Sequence, residues 1–566
     1  MLDRTSLEPA AVGWLGPELP PARRRAVDSA LQLLGGRFEQ TSRGEDCRAL
    51  IGTFEGVETI SANALRALRA RPAHVPVLLF PGRAGYAPSD KTLAALRLLA
   101  GDETLSFQEV GSETAYRFAD VPLVRPFDGH VLHESEPRLL SSLVPSRAAT
   151  PLTTGAHGSI FSRFDTGLFL ATVPQLEPNG GRLKDEFRSS RFLGLLPLLL
   201  FIREALGPSA WTSMSPRAAF MIDDPNLRVA RYGFMGYHDL ITAAKTHGFH
   251  AAFAMIPIDW KKTSGRVAGL LRDNRDHVSI VMHGVDHVSE EFAGAASLRE
   301  AESKVAQGLA RMSAHERETG VGFARATTFP HGICNTTWLQ ALRNAGLEAA
   351  VAEWARPIDL DPTDDPLYEM RPAELSFLAF PMINRFPAEQ PPEELLFKAF
   401  LGKPLIVYSH HRYFRDGLEA LVQLAEFLND RLAPRWSSIG EIVRSNYQVR
   451  EGRSGVAVRV FSNHVHAELV GKEFDAVVKP SVQLPADEVC RVNGTAVAAT
   501  VLPAVGTAFA AGPSSRLEIT FAPRHPTVVP VAPGRPSLKS RTRRLATELR
   551  DQVVHPLLRL ALAIVA

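Results

Sequence analysis

Two adjacent carboxylates, Asp223 and Asp224, close the apolar run AAFMIDDPN at residues 218–226. Two later apolar runs end in imidazoles: VSIVMHGVDH carries His283 and His287, and LIVYSHH carries His410 and His411. Asp224, His283 and His287 supply one carboxylate and two neutral imidazoles, the set a divalent cation needs when it keeps three protein ligands and one open position. The open position holds water, and Asp223, adjacent but not a ligand, is placed to take that water's proton. Two neighbouring carboxylates would repel each other without a cation between them. The expected chemistry is metal-assisted hydrolysis. Histidines four apart arise easily in a chain with 18 of them; the weight lies in their position, each at the end of a strand-like run.

The elements that must hold these groups follow from periodicity. Between Ser215 and Arg450, strand-like runs fall at 218–222, 250–256, 278–282, 324–329, 348–353, 376–383 and 404–408. Helical patterns lie between most of them, notably GYHDLITAAKTHG, SLREAESKVAQGLARMSAHERETG, NTTWLQALRNAG and GLEALVQLAEFLNDRL. Repeated β-α units of this size predict a parallel barrel, in which functional groups gather where strands end. The fold class expected is α/β, with a distorted (β/α)7-like barrel over residues 210–450.

Residues 1–209 read as a separate α/β domain of unassigned role. A helix is expected at RRRAVDSALQLLGG and another at SDKTLAALRLLAG, with strands at CRALIGTF and VPVLLFPG and short strands at YRFADVPLV, GSIFSRFD and GLFLATV. The apolar run Phe192 to Ile202 is too short to span a membrane and reads as a buried helix. Residues 451–525 carry short Val-rich runs broken by Gly, Asn and Pro, which predicts a small β-sandwich. A basic linker and a C-terminal helix fill 526–566.

With Lys+Arg 63 against Asp+Glu 61, the net charge of +2 gives no global field for nucleic acid. Cys47, Cys334 and Cys490 form no paired framework, and the N-terminus lacks a basic segment followed by an apolar one, so a cytoplasmic location is expected. Arg535, Lys539, Arg541, Arg543 and Arg544 precede the apolar end LLRLALAIVA. That pattern is compatible with peripheral contact on an anionic membrane, and equally with a helix docked on the protein itself.

Ser215 to Arg450 resembles the polysaccharide deacetylase family, the NodB-homology fold. MIDDPN, HGVDH and VYSHH occur in the family's order. The resemblance implies a distorted (β/α) barrel, Asp223 as general base, Asp224, His283 and His287 as ligands of a divalent metal (zinc first), and His410 as the acid that protonates the leaving amine. The implied activity is removal of an N-acyl group, acetyl first, from an amino sugar of a glycan or glycan precursor.

The sequence departs from the family pattern in three places. Pro225 stands where Gly is usual, Gly284 stands where Ser or Thr is usual, and the loop Thr328-Phe329-Pro330-His331-Gly332 lacks the arginine that holds the base. Arg325 and Arg385 are the candidate substitutes, and Glu353 and Asp359 the candidate carboxylates to orient His410. His331, Trp354, Tyr408 and His411 fall at strand ends and are expected to contact substrate, Trp354 by stacking on a sugar. His238, His247 and His250 read as structural. Two other functions stay open: hydrolysis of a small non-sugar amide on the same fold, and a non-catalytic glycan-binding or scaffolding role.

Overall fold

The computed structural model describes residues 8–40, 47–71, 75–176, 182–294, 296–361, 364–377, 380–452, 455–469, 475–480, 488–498, 500–502, 506–513, 516–523 and 531–554. The chain forms two compact units, one of Met1–Thr212, Thr363–Arg371 and Val449–Val456, the other of Ser213–Pro362, Pro372–Gln448 and Ala457–Ala566.

In the second unit seven strands form a parallel ring: β1 (Arg217–Asp223), β2 (Ala251–Met255), β3 (Val278–His283), β4 (Ala324–Thr328), β5 (Ala349–Ala352), β6 (Phe380–Pro387) and β7 (Leu405–Ser409). Each pairs in parallel with the next, and β1 lies between β2 and β7, so the ring closes. The helices are α1 (Tyr237–His247), α2 (Gly265–Asp273), α3 (Leu298–Thr319), α4 (Thr336–Asn344), α5 (Glu393–Phe400), α6 (Glu419–Leu432), α7 (Ile439–Arg444) and α8 (Leu538–Leu549).

Local chemistry sets these boundaries. Ser297 and Glu300 form a reciprocal capping box at the start of α3, and Gly320 ends it in a left-handed turn at φ 70. Such a cap is worth about 1 kcal/mol. Strand six begins later than the sequence reading placed it. Residues 376–377, read there as its start, belong instead to the strand Glu374–Phe377, which runs antiparallel to β6, and β6 continues to Pro387.

Strand alternation sorts the core into two layers. Ala218, Phe220 and Ile222 of β1 face the helices, where they pack with Leu240, Phe253, Leu421 and Leu428. Ala219 and Met221 face the barrel axis with Ala252, Ala254, Ala326, Ala349 and Ile406. Seven strands enclose a narrow interior, and alanine at so many inward positions fits it. Ile439, Ile442 and Val443 of α7 pack into the same interior cluster.

The first unit is built on a nine-stranded sheet. Gly36–Glu39, Ala10–Leu15, Ala49–Thr53, Val77–Phe80 and Leu168–Ala171 pair in parallel in that order. Its other half is antiparallel, from Ser159–Phe164 through Val131–Leu143 and Phe107–Phe118 to Ala149–Thr154. The strand expected at YRFADVPLV stops at Phe118, and Pro122–Val124 is a single 3₁₀ turn. The apolar run near Phe192 forms the helix Leu196–Leu206, with Pro197 in its first turn, where no amide donor is required. Two small antiparallel sheets lie toward the C-terminus, one containing Asp475–Pro480 and Gly506–Pro513, the other His464–Glu468, Glu488–Val492 and Arg516–Pro523. SVQLP and LLRLALAIVA lie outside the described residues. Among the described residues, no helix is long and apolar enough to cross a membrane.

Candidate metal centre

Every second side chain of a strand faces the barrel axis, so the inward position after the last packed one reaches the mouth. Past Met221 that position is Asp223; past Ala254 it is Ile256; past Val281 it is His283. Past Val351 it is Glu353, past Ile383 it is Arg385, and past Ile406 it is Tyr408. All six line one cavity of about 410 Å³, which Asp224, Asp286, His287, Phe329, His331, Gly332 and His410 also line.

Asp224 Oδ1 lies 3.2 Å from His283 Nε2 and 3.2 Å from His287 Nε2. A tetrahedral cation with bonds of about 2.0–2.1 Å separates its ligand atoms by about 3.3 Å. Both distances from Asp224 match an edge of such a site, and the three donor atoms lie within 4.8 Å of one another. Asp224 Oδ1 is buried and accepts no well-aligned hydrogen bond, so its surroundings offer it only the two imidazoles.

Burial alone would raise the Asp224 carboxyl, but the charge and hydrogen bond of the His283 ring, then His287 and Arg544, outweigh it and hold this group far below the usual carboxylate range. Burial works against charge on His283 as well, and the Asp224 carboxylate overcomes it, so that ring is raised. At His287 burial prevails and the ring is lowered. One carboxylate oxygen serves two rings, and their proton affinities move apart.

Two of the three candidate ligands, and one further residue of the lining, sit on backbone that ordinary residues seldom adopt. Asp224, His287 and His331 all have positive φ, at 59, 54 and 58. Such strain persists only where the surroundings fix it. For His287 the fixing group is Glu291, whose buried carboxylate accepts from the amides of Val285 (2.8 Å), Asp286 (2.9 Å) and His287 (3.1 Å) and pairs with Lys304 at 2.7 Å. Arg311 holds the Asp286 side chain at 2.6 Å. Gly284, at φ 57, is required here: a Cβ would meet Glu291 Oε2 and Pro330 Cγ, each at 2.6 Å.

Asp223 is 1% exposed, and Arg385 Nη1 donates to both its oxygens, at 2.8 and 2.7 Å. Arg385 also stacks on the Tyr408 ring, 4.1 Å from its centroid. Of the two arginines expected as candidates to hold the base, Arg385 is the one that bonds Asp223. Arg325 is exposed and lies over Phe323, away from the cavity lining. His410 Nε2 approaches Asp223 Oδ2 to 3.9 Å, and its side chain is half exposed at the mouth.

The two carboxylates expected near His410 have other partners. Glu353 accepts from the Tyr408 hydroxyl at 2.8 Å, and burial followed by that bond pushes the phenol well above its ordinary value. Asp359 accepts from the Thr336 amide and hydroxyl at the start of α4. Two residues expected to touch substrate also stand elsewhere. Glu353 takes the inward position, so Trp354, the next residue, is 55% exposed and outside the cavity lining. His411 is buried, stacked on Phe234 at 5.7 Å and edge-on to Tyr232 at 5.0 Å, and is likewise not in the lining. His331 and Tyr408 do line the cavity. His250 bonds Ser279 and the Asp276 carbonyl, and His247 pairs with Glu426.

The C-terminal helix also reaches this site. The basic stretch read as linker is helical, and α8 places Ser540, Arg543, Arg544, Thr547 and the following Arg550 in the cavity wall. Arg544 is buried: its Nε donates to Asp259 at 2.7 Å, and its Nη2 to the carbonyls of Asp224 (3.3 Å) and Pro225 (3.2 Å). It thereby ties down the strained backbone of a ligand. Burial opposes the charge on Arg544, but Asp259 and Asp224 outweigh it and raise its proton affinity further. Lys262 joins Asp259 (2.8 Å) to Glu548 (2.6 Å) beneath the helix.

A second donor set, His464, His466 and Glu518, brings ligand atoms within 4.8 Å of one another. It lies on one of the C-terminal sheets, with His466 and Glu518 exposed and His464 engaged by Glu348 at 3.3 Å.

No protein-family model matches this chain, and no curated protein matches its sequence. Among solved structures it is similar to the family 4 carbohydrate esterase from Streptomyces lividans in complex with acetate, at 13% identity over 39% of this chain and 91% of that one, with a TM-score of 0.25. It is similar to the family 4 acetyl xylan esterase from Clostridium thermocellum in complex with a cobalt ion, at 11% identity over 40% of this chain and 89% of that one, TM-score 0.24. It is also similar to the 4-alpha-glucanotransferase from Thermococcus litoralis, at 11% identity over 40% of each chain, TM-score 0.28. Scores this low carry no weight for function, and the barrel and its site stand on the pairings and distances above.

Proposed function

We propose that this chain is a metal-dependent hydrolase that removes an N-acyl group, acetyl first, from an amino sugar of a glycan or glycan precursor. The observation that carries this reading is the placement of Asp224 Oδ1 at 3.2 Å from two imidazole nitrogens, beside a second, buried carboxylate that Arg385 holds. Asp224, His283 and His287 would hold the cation, which when bound polarises an acyl carbonyl and acidifies water.

The remaining steps belong to the chain's own groups. Asp223 takes a proton from the attacking water, with Arg385 Nη1 fixing the orientation of both its oxygens. The carbon–nitrogen bond breaks, and His410 Nε2, on the solvent side of the cavity, supplies the proton the departing amine needs. Products are the free carboxylate and the free amino sugar. Tyr408, committed to Glu353, contributes wall rather than proton transfer.

The test is acetate release from N-acetylated chitooligosaccharides by the zinc-loaded full chain. Turnover is expected, with a loss of about 10²–10⁴-fold in His410→Ala and no loss of bound metal. Metal-loaded protein that releases no acetate from any N-acetylated sugar would sink the reading, and cleavage confined to small linear or cyclic amides would replace the substrate class.

A further inference from the structure

Helix α8 turns its polar face toward the cavity. At 100° per residue, Ser540, Arg543, Arg544, Thr547 and Arg550 fall within about 120° of arc, and all five line the cavity. The opposite face is apolar and open: Leu538, Leu545 and Leu549 are 77%, 49% and 53% exposed. An amphipathic helix on a globular surface normally turns its apolar side inward. This one is reversed, so what it offers the cavity is charge.

Most of the charged groups inside have named partners. Asp223 is matched by Arg385, and Asp286 by Arg311. Asp224 faces the two imidazoles, and Glu353 accepts from Tyr408. Arg544 is taken up by Asp259 and two backbone carbonyls. Among the described residues no ion pair or hydrogen bond joins Arg543 to a carboxylate, and Glu353, the remaining acid of the lining, is bonded to the Tyr408 hydroxyl. A cation bound at the donor set would add further positive charge.

We propose that the Arg543–Thr547–Arg550 face of α8 is an anion subsite in the cavity wall, and that the substrate carries a phosphoryl-type group bound there while its acyl group meets the metal centre. This rests on the reading of the cavity as a hydrolytic site and adds the class of substrate to it. Arginine suits the role because its planar fork binds tetrahedral oxyanions with paired, charge-assisted bonds. The group could belong to a soluble sugar phosphate or to the head of a lipid-linked sugar, the latter matching the exposed leucines of the same helix.

The experiment is calorimetric titration of the full chain with N-acetylglucosamine, its 1-phosphate, its 6-phosphate and inorganic phosphate. A further arm uses N-acetylglucosamine on a polyprenyl phosphate in phosphatidylcholine vesicles. At least one phosphorylated sugar is expected to bind about tenfold or more tighter than the neutral sugar. The gap should shrink as salt rises and close in Arg543→Gln/Arg550→Gln. A lipid arm tighter than both soluble phosphates assigns the source; the reverse assigns a soluble one. Asp224→Asn, which removes a metal ligand, is expected to keep the preference, so a failed metal reading and a failed subsite give different results. Phosphorylated sugars that bind no tighter than the neutral one, or a preference that survives the double variant, overturn the proposal.

Discussion

Asp223 and Asp224 are neighbours in sequence with different tasks, and one backbone angle separates them. Asp223 ends β1 in extended conformation and points along the barrel axis; Asp224, at φ 59, swings its carboxylate toward the imidazoles of β3. The pairing of Asp223 with Arg385 is buried on both sides, at 1% and 4% exposure. Breaking one partner of such a pair costs about 3–5 kcal/mol, because the other charge stays buried and alone. Arg385→Met is therefore expected to lower the unfolding free energy read from urea titration by that amount and turnover by at least tenfold. The double variant Asp223→Asn/Arg385→Met should recover much of the stability and none of the activity. Equal turnover in Arg385→Met and the parent chain would remove Arg385 from the site.

Much of this constellation was legible at the residue scale. The donors at Asp224, His283 and His287 follow from residue type at strand ends, and the structure brings them together. Arg385 is one of the two arginines the sequence offers to hold the base, and its place as the inward residue two after Ile383 decides between them. The choice stays open in the sequence because the strand reads as ending at 383, four residues short of Pro387. Trp354 and His411 were misplaced by treating every aromatic at a strand end as facing the mouth, although alternation sends the neighbour of an inward residue outward. Glu291 and Arg544 act through backbone atoms, which leaves no residue pattern to read.

At the scale of elements, the loop after β3 is a small machine built around one glycine. Its three amides converge on Glu291, and Gly284 makes room for that carboxylate against Pro330. Gly284→Ala combines positive φ with two 2.6 Å contacts, so it is expected to cost about 2 kcal/mol or more and to weaken metal binding by displacing His283 and His287. Thermal melts with and without zinc would show both effects. An unchanged melt and unchanged zinc affinity would mean the loop tolerates the shift and does not set the ligand geometry. Helix α8 was legible as basic and helical in its later part. Its docking was not, because the residues it meets, Asp259 and the carbonyls of Asp224 and Pro225, lie about 285 to 320 positions earlier in the chain.

For the whole molecule, the barrel was the most readable part, since seven strands in regular order with helices between most of them leave few topologies. The first unit was less so. Gly36–Glu39 is four residues long and begins with glycine, and Ala10–Leu15, interrupted by Gly13, is held as a strand by parallel partners on both sides. A cation that binds only the native chain would stabilise it by an amount that rises with the logarithm of its concentration over its dissociation constant. The most direct test is the zinc content of the full chain after chelator treatment and equilibrium dialysis, compared with Asp224→Ala. The parent chain should retain one ion more per molecule than the variant; equal contents would contradict a cation held by Asp224, His283 and His287.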